Sequence, residues 1–178
     1  MVNSQRCGTS GPRSVREATL CLLIEGTPPR RILLGFKKQG FGAGKITGFG
    51  GKVEPGETPA AAAIRELEEE TGIRVSREQL QACGQLQFVF PGRPSWSQLV
   101  HVFVCKSWTG AAREGREMKP AWYAVAEIPY RQMWHDSLYW LPRFLGGERI
   151  RGRFIFGEDN ETVNEVSMSI WEEDSEGA

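Results

Sequence analysis

GKVEPGETPAAAAIRELEEETGI, residues 51–73, holds the pattern that decides the fold of this 178-residue chain. Glu66, Glu68, Glu69 and Glu70 crowd together directly after an alanine run. Thr58 suits an N-cap and Pro59 the first helical position. Ala60 to Ala63 are strong helix formers, and Gly72 is a stop signal. A helix is therefore predicted from Pro59 to just before Gly72. At about 100° per residue Glu66, Glu69 and Glu70 share one face, with Glu68 nearly opposite and solvated. Ile64 and Leu67 are the residues expected to pack on the rest of the protein.

Like charges three and four apart on a helix repel by about 0.2–0.5 kcal/mol per pair. A cation between them removes that cost. Oxygen-only ligands favour Mg²⁺, with Mn²⁺ as the alternative, and Mg²⁺ commonly meets substrate phosphates. An acidic run alone reads more simply as a solvated helix face. The preceding loop changes the balance. Gly50, Gly51 and Gly56 permit tight turns, Glu57 falls just before the helix, and Arg65 adjoins the acids.

The spacing is Gly51, five residues, Glu57, seven residues, then Arg65-Glu66-Leu67-Glu68-Glu69-Glu70-Thr71-Gly72-Ile73. It resembles the Nudix box, G-x5-E-x7-R-E-U-x-E-E-x-G-U with U aliphatic, at every fixed position. The chain is thereby identified as a member of the Nudix hydrolases. The resemblance implies that Glu66, Glu69, Glu70 and the Gly51 carbonyl hold divalent metal. It implies that Glu57 and Arg65 brace the loop and helix, and that all the catalytic carboxylates are present.

LLGFKKQGFGAGK, GFGGKVEPGET, HVFVC, EMKPAWY, EIPYRQMW and YWLP, several of them outside the box, resemble the MutT-type oxidised purine nucleoside triphosphatases. This likeness implies Mg²⁺-dependent hydrolysis of nucleotides such as 8-oxo-dGTP or 2-hydroxy-dATP to monophosphate and pyrophosphate. By it, Thr19, Lys37, Phe41, Thr47, Phe49, Gly50, Gly51 and Lys52 belong to the nucleotide pocket. Phe88, Phe90 and Met118 form its apolar wall, Trp134 stacks on the base, and His135, Asp136 and Ser137 lie at the base edge. Glu117 is a further carboxylate beside the metals. Without the likeness, each of these aromatics reads as ordinary core and Lys37 as part of a solvated loop.

Two positions depart from that family. Thr47 stands where the family has Asn, and Ser137 stands where it has the second of two aspartates. A lone Asp136 has no carboxylate neighbour with which to share a proton, so it is expected to be ionised and to accept only. Base preference is expected to have shifted accordingly. Hydrolysis of dinucleoside polyphosphates, ADP-ribose or RNA caps, and nucleotide binding without turnover, are the rival readings.

The rest of the chain fits one α/β (α+β) domain over residues 17–172, a mixed β-sheet sandwiched between helices. Strands are expected at 19–36 (two, around a turn), 46–53, 85–90, 98–105, 121–128, 150–157 and 161–171, with a second helix over 137–147. Lys plus Arg equals Asp plus Glu, at 22 each, so no global field draws in a nucleic acid polymer. No apolar run approaches the ~20 residues of a membrane span. Cys7, Cys21, Cys83 and Cys105 form no CxxC pair and are expected as free thiols in a reducing compartment. A monomer is expected, cytoplasmic with a mitochondrial or nuclear fraction. Residues 1–16, carrying arginines and no acid, read as a disordered tail with a weak presequence character. Residues 173–178 read as an acidic tail.

Overall fold

The computed structural model describes residues 15–172. Both predicted tails, apart from Val15 and Arg16, and Cys7 with them, lie outside the described residues. The strands in chain order are β1 (Arg16–Glu25), β2 (Arg31–Lys37), β3 (Ile46–Thr47), β4 (Gln81–Val89), β5 (Gln98–Cys105), β6 (Met118–Ala124), β7 (Ile150–Phe156) and β8 (Val163–Ile170). The helices are α1 (Pro59–Thr71) and α2 (Ser137–Leu145).

Local signals account for α1. The Thr58 side chain accepts the Ala61 N–H at 3.2 Å, a cap worth roughly 1 kcal/mol. Gly72 ends the helix at φ 76°, where a side chain would be strained, and its N–H donates to the Glu68 carbonyl at 2.8 Å. Leu67 is fully buried and Ile64 packs beside it.

The sheet runs β3-β2-β1-β5-β4-β7-β8, with β6 on the other edge of β2. Alternation along the strands gives it two apolar faces. Cys21, Leu23, Phe103 and Cys105 join Leu67 and Ala63 of α1 in one core. Ala18, Leu22, Val100 and Val102 join Trp140, Leu141 and Phe144 of α2 in the other. A mixed sheet thus lies between helices, as the sequence predicts.

The arrangement that positions everything else is a split in this sheet. β1 pairs with β2 only at Leu23–Glu25, opposite Arg31–Leu33. Ahead of that point the strands part, and the segment after β3 fills the gap. Thr19 N–H donates to the Gly51 carbonyl at 2.8 Å and Cys21 N–H to the Phe49 carbonyl at 2.6 Å. A Cβ on Gly50 would lie 2.0 Å from the Thr19 carbonyl oxygen, so this approach demands glycine.

Several expectations need adjustment. The predicted 121–128 strand begins at Met118 and stops at Ala124, giving way to a 3₁₀ turn at Val125–Glu127. β4 starts at Gln81, ahead of the predicted residue 85. The first strand takes in Arg16 from the predicted tail. The Val166, Met168, Ile170 alternation belongs to β8, the edge strand that ends the sheet beside β7, and Ile170 is 77% exposed. Cys21, Cys83 and Cys105 are buried free thiols, with the Cys21 and Cys105 sulfurs 3.8 Å apart. Among the described residues no helix is long and apolar enough to cross a membrane.

Candidate active site

Arg65 ties loop to helix. Its Nε and Nη2 donate to the two Glu57 oxygens at 2.9 and 3.0 Å. Its Nη1 donates to Glu66 Oε1 at 2.7 Å, and Nη2 also reaches the Lys52 carbonyl at 3.1 Å. The guanidinium holds the Glu57 carboxyl below the usual carboxylate range. The two glutamates in turn raise the Arg65 pKa. This planar fork matches carboxylate geometry in a way an ammonium does not.

Glu66 is held against the glycine loop: a Cβ on Gly51 would fall 2.5 Å from its carboxyl carbon. Glu70 lies one turn on, its side chain only 6% exposed. It accepts the Gly50 N–H at 2.9 Å and the Lys37 ammonium at 3.3 Å. Burial pushes its pKa up to about 7, opposed by Lys37 and the Gly50 N–H and reinforced by Glu66. Lys37 also stands 3.6 Å from Glu117, which brings that distant carboxylate to the same place.

Glu69 behaves differently. Its side chain is 61% exposed and lies 3.5 Å from Arg65 Nη1, on the outer surface of α1. Among the described residues no three acidic side chains converge in metal-holding geometry. The donor chemistry nevertheless fits a hard divalent cation. It is all oxygen, two cationic side chains hold the carboxylates in place, and a buried carboxyl is driven toward neutrality by desolvation and by its neighbour. The Gly51 carbonyl accepts the Thr19 N–H at 2.8 Å and, in a long bond of 3.5 Å, the Thr19 hydroxyl.

On the α2 side of the sheet lies a cavity of about 340 Å³. It reaches through the split to Thr19, Gly50, Gly51, Lys52, Lys37, Glu70 and Glu117. Its far end is aromatic. Phe41 stacks on Trp134 at 5.3 Å and 22°, and Lys45 Nζ lies 4.7 Å from the indole centre. Phe90 stacks on Phe156 at 4.2 Å and 11°. Phe88, Met118 and Thr47 complete the predicted part of the lining.

The polar group at this end is Asp136, 3% exposed. Burial pushes its carboxyl up to about 6, opposed by the Trp140 indole and, more weakly, by Lys45. Desolvation thus moves the titration of this lone aspartate toward neutral pH without a second carboxylate. Ser137, also 3% exposed, lines the cavity beside it with a hydroxyl that can donate or accept.

Two sequence assignments do not belong to the cavity. Phe49 is fully buried in the α1 core, because its strand-like segment turns that side chain away from the α2 face. His135 turns from the cavity to anchor β8, its Nδ1 accepting the Val163 N–H at 2.9 Å. Conversely, Arg16, Gln98, Trp140 and Phe156 line the cavity without having been singled out. Strand alternation could have placed Gln98 on the Val100 and Val102 face. Nothing local marks that face as a cavity wall.

Comparison with known proteins shows the family. Residues 15–144 match the family described as NUDIX domain. The chain is 41% identical over 157 residues to the mouse (Mus musculus) oxidized purine nucleoside triphosphate hydrolase, covering 88% of this chain and 95% of that protein. It is 44% identical over 138 residues to the protein of the same name from Danio rerio, covering 78% and 85%. Among solved structures, a MutT protein from Bacillus halodurans superposes with a TM-score of 0.74 at 22% identity, over 86% of this chain and 97% of the other. That last likeness speaks to the fold.

Proposed function

The chain belongs to the NUDIX family, and from that premise we propose that it hydrolyses oxidised purine nucleoside triphosphates to the monophosphate and pyrophosphate, clearing damaged nucleotides from the pool. The observation that carries this reading is one continuous cavity. It joins an aromatic platform at Trp134 to the acidic face of α1 through the split between β1 and β2.

The base enters the aromatic end, where stacking on Trp134 tolerates any flat ring. Asp136 and Ser137 meet its polar edge. The phosphates then pass Thr19, Gly50 and Lys52 toward Lys37, whose charge offsets theirs. Glu66, Glu69 and Glu70, with Glu117 and the Gly51 carbonyl, are the groups that would hold Mg²⁺ or Mn²⁺. Such an ion polarises phosphoryl oxygens and lowers the pKa of bound water. Water attacks the β-phosphorus, its oxygen bonds to phosphorus, and the bridging oxygen leaves with the nucleoside monophosphate. A carboxylate among Glu69, Glu70 and Glu117 takes or steers the proton.

The balance of 22 basic and 22 acidic residues supports a small substrate rather than a polymer. A reducing, cytoplasmic setting suits the buried free thiols, and we propose that the protein acts there as a monomer. The test is pyrophosphate release from 8-oxo-dGTP, 2-hydroxy-dATP, the four unmodified dNTPs, ADP-ribose and a dinucleoside polyphosphate in one assay with Mg²⁺. The oxidised purines should lead by at least tenfold in kcat/KM. Faster turnover of ADP-ribose or the dinucleotide would overturn the reading, and so would binding without pyrophosphate release.

A further inference from the structure

Gln98 opens β5 at the wall of the cavity. The register sets it in one row across the α2 face, with Arg16 of β1 on one side and Phe88 of β4 on the other. Phe88 is held by Phe154 at 5.7 Å and Phe156 at 6.4 Å, so this wall is firmly packed. Gln98 is the one carboxamide among the residues that line the cavity. Its side chain makes no hydrogen bond to any described residue. A half-buried amide left unpaired in a largely apolar cavity suits a ligand that offers both a donor and an acceptor.

The other polar groups at the base end are differently equipped. Asp136 has one oxygen committed to the Trp140 indole at 2.6 Å. Ser137 and Thr47 each offer a single oxygen. Asp136 and Ser137 come from the start of α2, which covers the sheet, whereas Gln98 comes from the sheet itself. A base held by the first pair at one edge therefore has another edge free for the sheet wall.

Oxidation at C8 changes one edge of a purine. N7 gains a hydrogen and becomes a donor, and C8 gains a carbonyl oxygen, an acceptor. The parent has an N7 acceptor and a C–H at those positions. A carboxamide complements the oxidised edge with two parallel bonds: its oxygen accepts N7–H while its NH₂ donates to O8. Against the parent purine the same amide loses one of the two.

We propose that Gln98 reads the N7–H/C8=O edge of the oxidised base and so sets discrimination against the undamaged nucleotide. This rests on the purine triphosphatase reading above and adds to it the group that recognises the lesion. It also explains how a pocket with Thr47 and Ser137 retains a dual donor–acceptor reader.

The test is kcat/KM for 8-oxo-dGTP and for dGTP with wild type, Gln98→Met and Gln98→Glu, each checked for folding by thermal melting. Met conserves volume and removes both polar groups. Glu keeps the acceptor and loses the donor. The 8-oxo-dGTP to dGTP ratio should fall about tenfold in both variants, chiefly through a higher KM for 8-oxo-dGTP. A ratio within twofold of wild type in Gln98→Met overturns the proposal. As a test that needs no variant, wild type should favour 8-oxo-dGTP over 8-bromo-dGTP, which lacks both groups, by about tenfold. Equal rates on these two also overturn it. Failure of wild type to hydrolyse any purine triphosphate sinks the function proposed above instead, so the two failures are distinguishable.

Discussion

The Trp140 indole N–H donates to Asp136 Oδ2 at 2.6 Å, one helical turn away and at the bottom of the aromatic cavity. This bond leaves the aspartate one oxygen for a ligand and fixes where that oxygen points. It also offsets part of the desolvation that raises the carboxyl pKa to about 6.

Stability should therefore depend on pH through Asp136. Its folded pKa lies above the ~3.9 of an unfolded aspartate, so the folded state binds the proton more tightly. The resulting stabilisation is complete below about pH 4 and is lost as pH rises through about 6, an effect on the order of 2–3 kcal/mol. Asp136→Asn should abolish that slope. Denaturant unfolding of both proteins between pH 4 and 7 measures it, and parallel curves would refute the assignment.

Arg65→Lys keeps the charge and loses the fork that joins Glu57, Glu66 and the Lys52 carbonyl. We expect kcat/KM to drop by about 10- to 100-fold with a fall in Tm of only a few degrees. Unchanged kinetics would show that the brace is not needed to place Glu66.

At Gly51 the expected result is lost turnover in a folded protein. A methyl group there meets the Glu66 carboxyl group at 2.5 Å and displaces it, since a side-chain terminus yields more easily than backbone. Gly51→Ala should lower kcat at least tenfold while circular dichroism stays native. A variant with wild-type kcat would show that Glu66 need not sit where the structure has it.

Chelation of divalent cations should abolish hydrolysis, with Mg²⁺ restoring it. Glu70→Gln should raise the Mg²⁺ concentration needed for half-maximal rate and lower kcat by at least 100-fold. Glu69→Gln tests the exposed carboxylate. If Glu69 turns inward in the loaded enzyme it should match Glu70→Gln in effect, and a wild-type rate would remove it from the acid set.

The α1 region was legible in the sequence because its determinants are local. The Thr58 cap, the Ala60–Ala63 run, the Gly72 stop and the spacing of Glu66 and Glu70 all act within a turn or two of one another. In the structure Leu22 and Cys21 lie on opposite faces of β1, as the two-residue period of a strand requires. The family motif was readable by the same short-range spacing. Tertiary structure alone decided the rest, since a cavity is made by strands that fail to pair. The parting of β1 from β2 lets one cavity run from the aromatic residues on the α2 side to Glu70 of α1. Phe49 falls in the α1 core, whereas Phe88, Phe90 and Gln98 line the cavity. In sequence these residues look alike, because an aromatic or an amide on a strand carries no local sign of whether its face meets a helix or a void. That depends on non-local contacts, above all the 49–52 segment wedged beside Thr19 and Cys21.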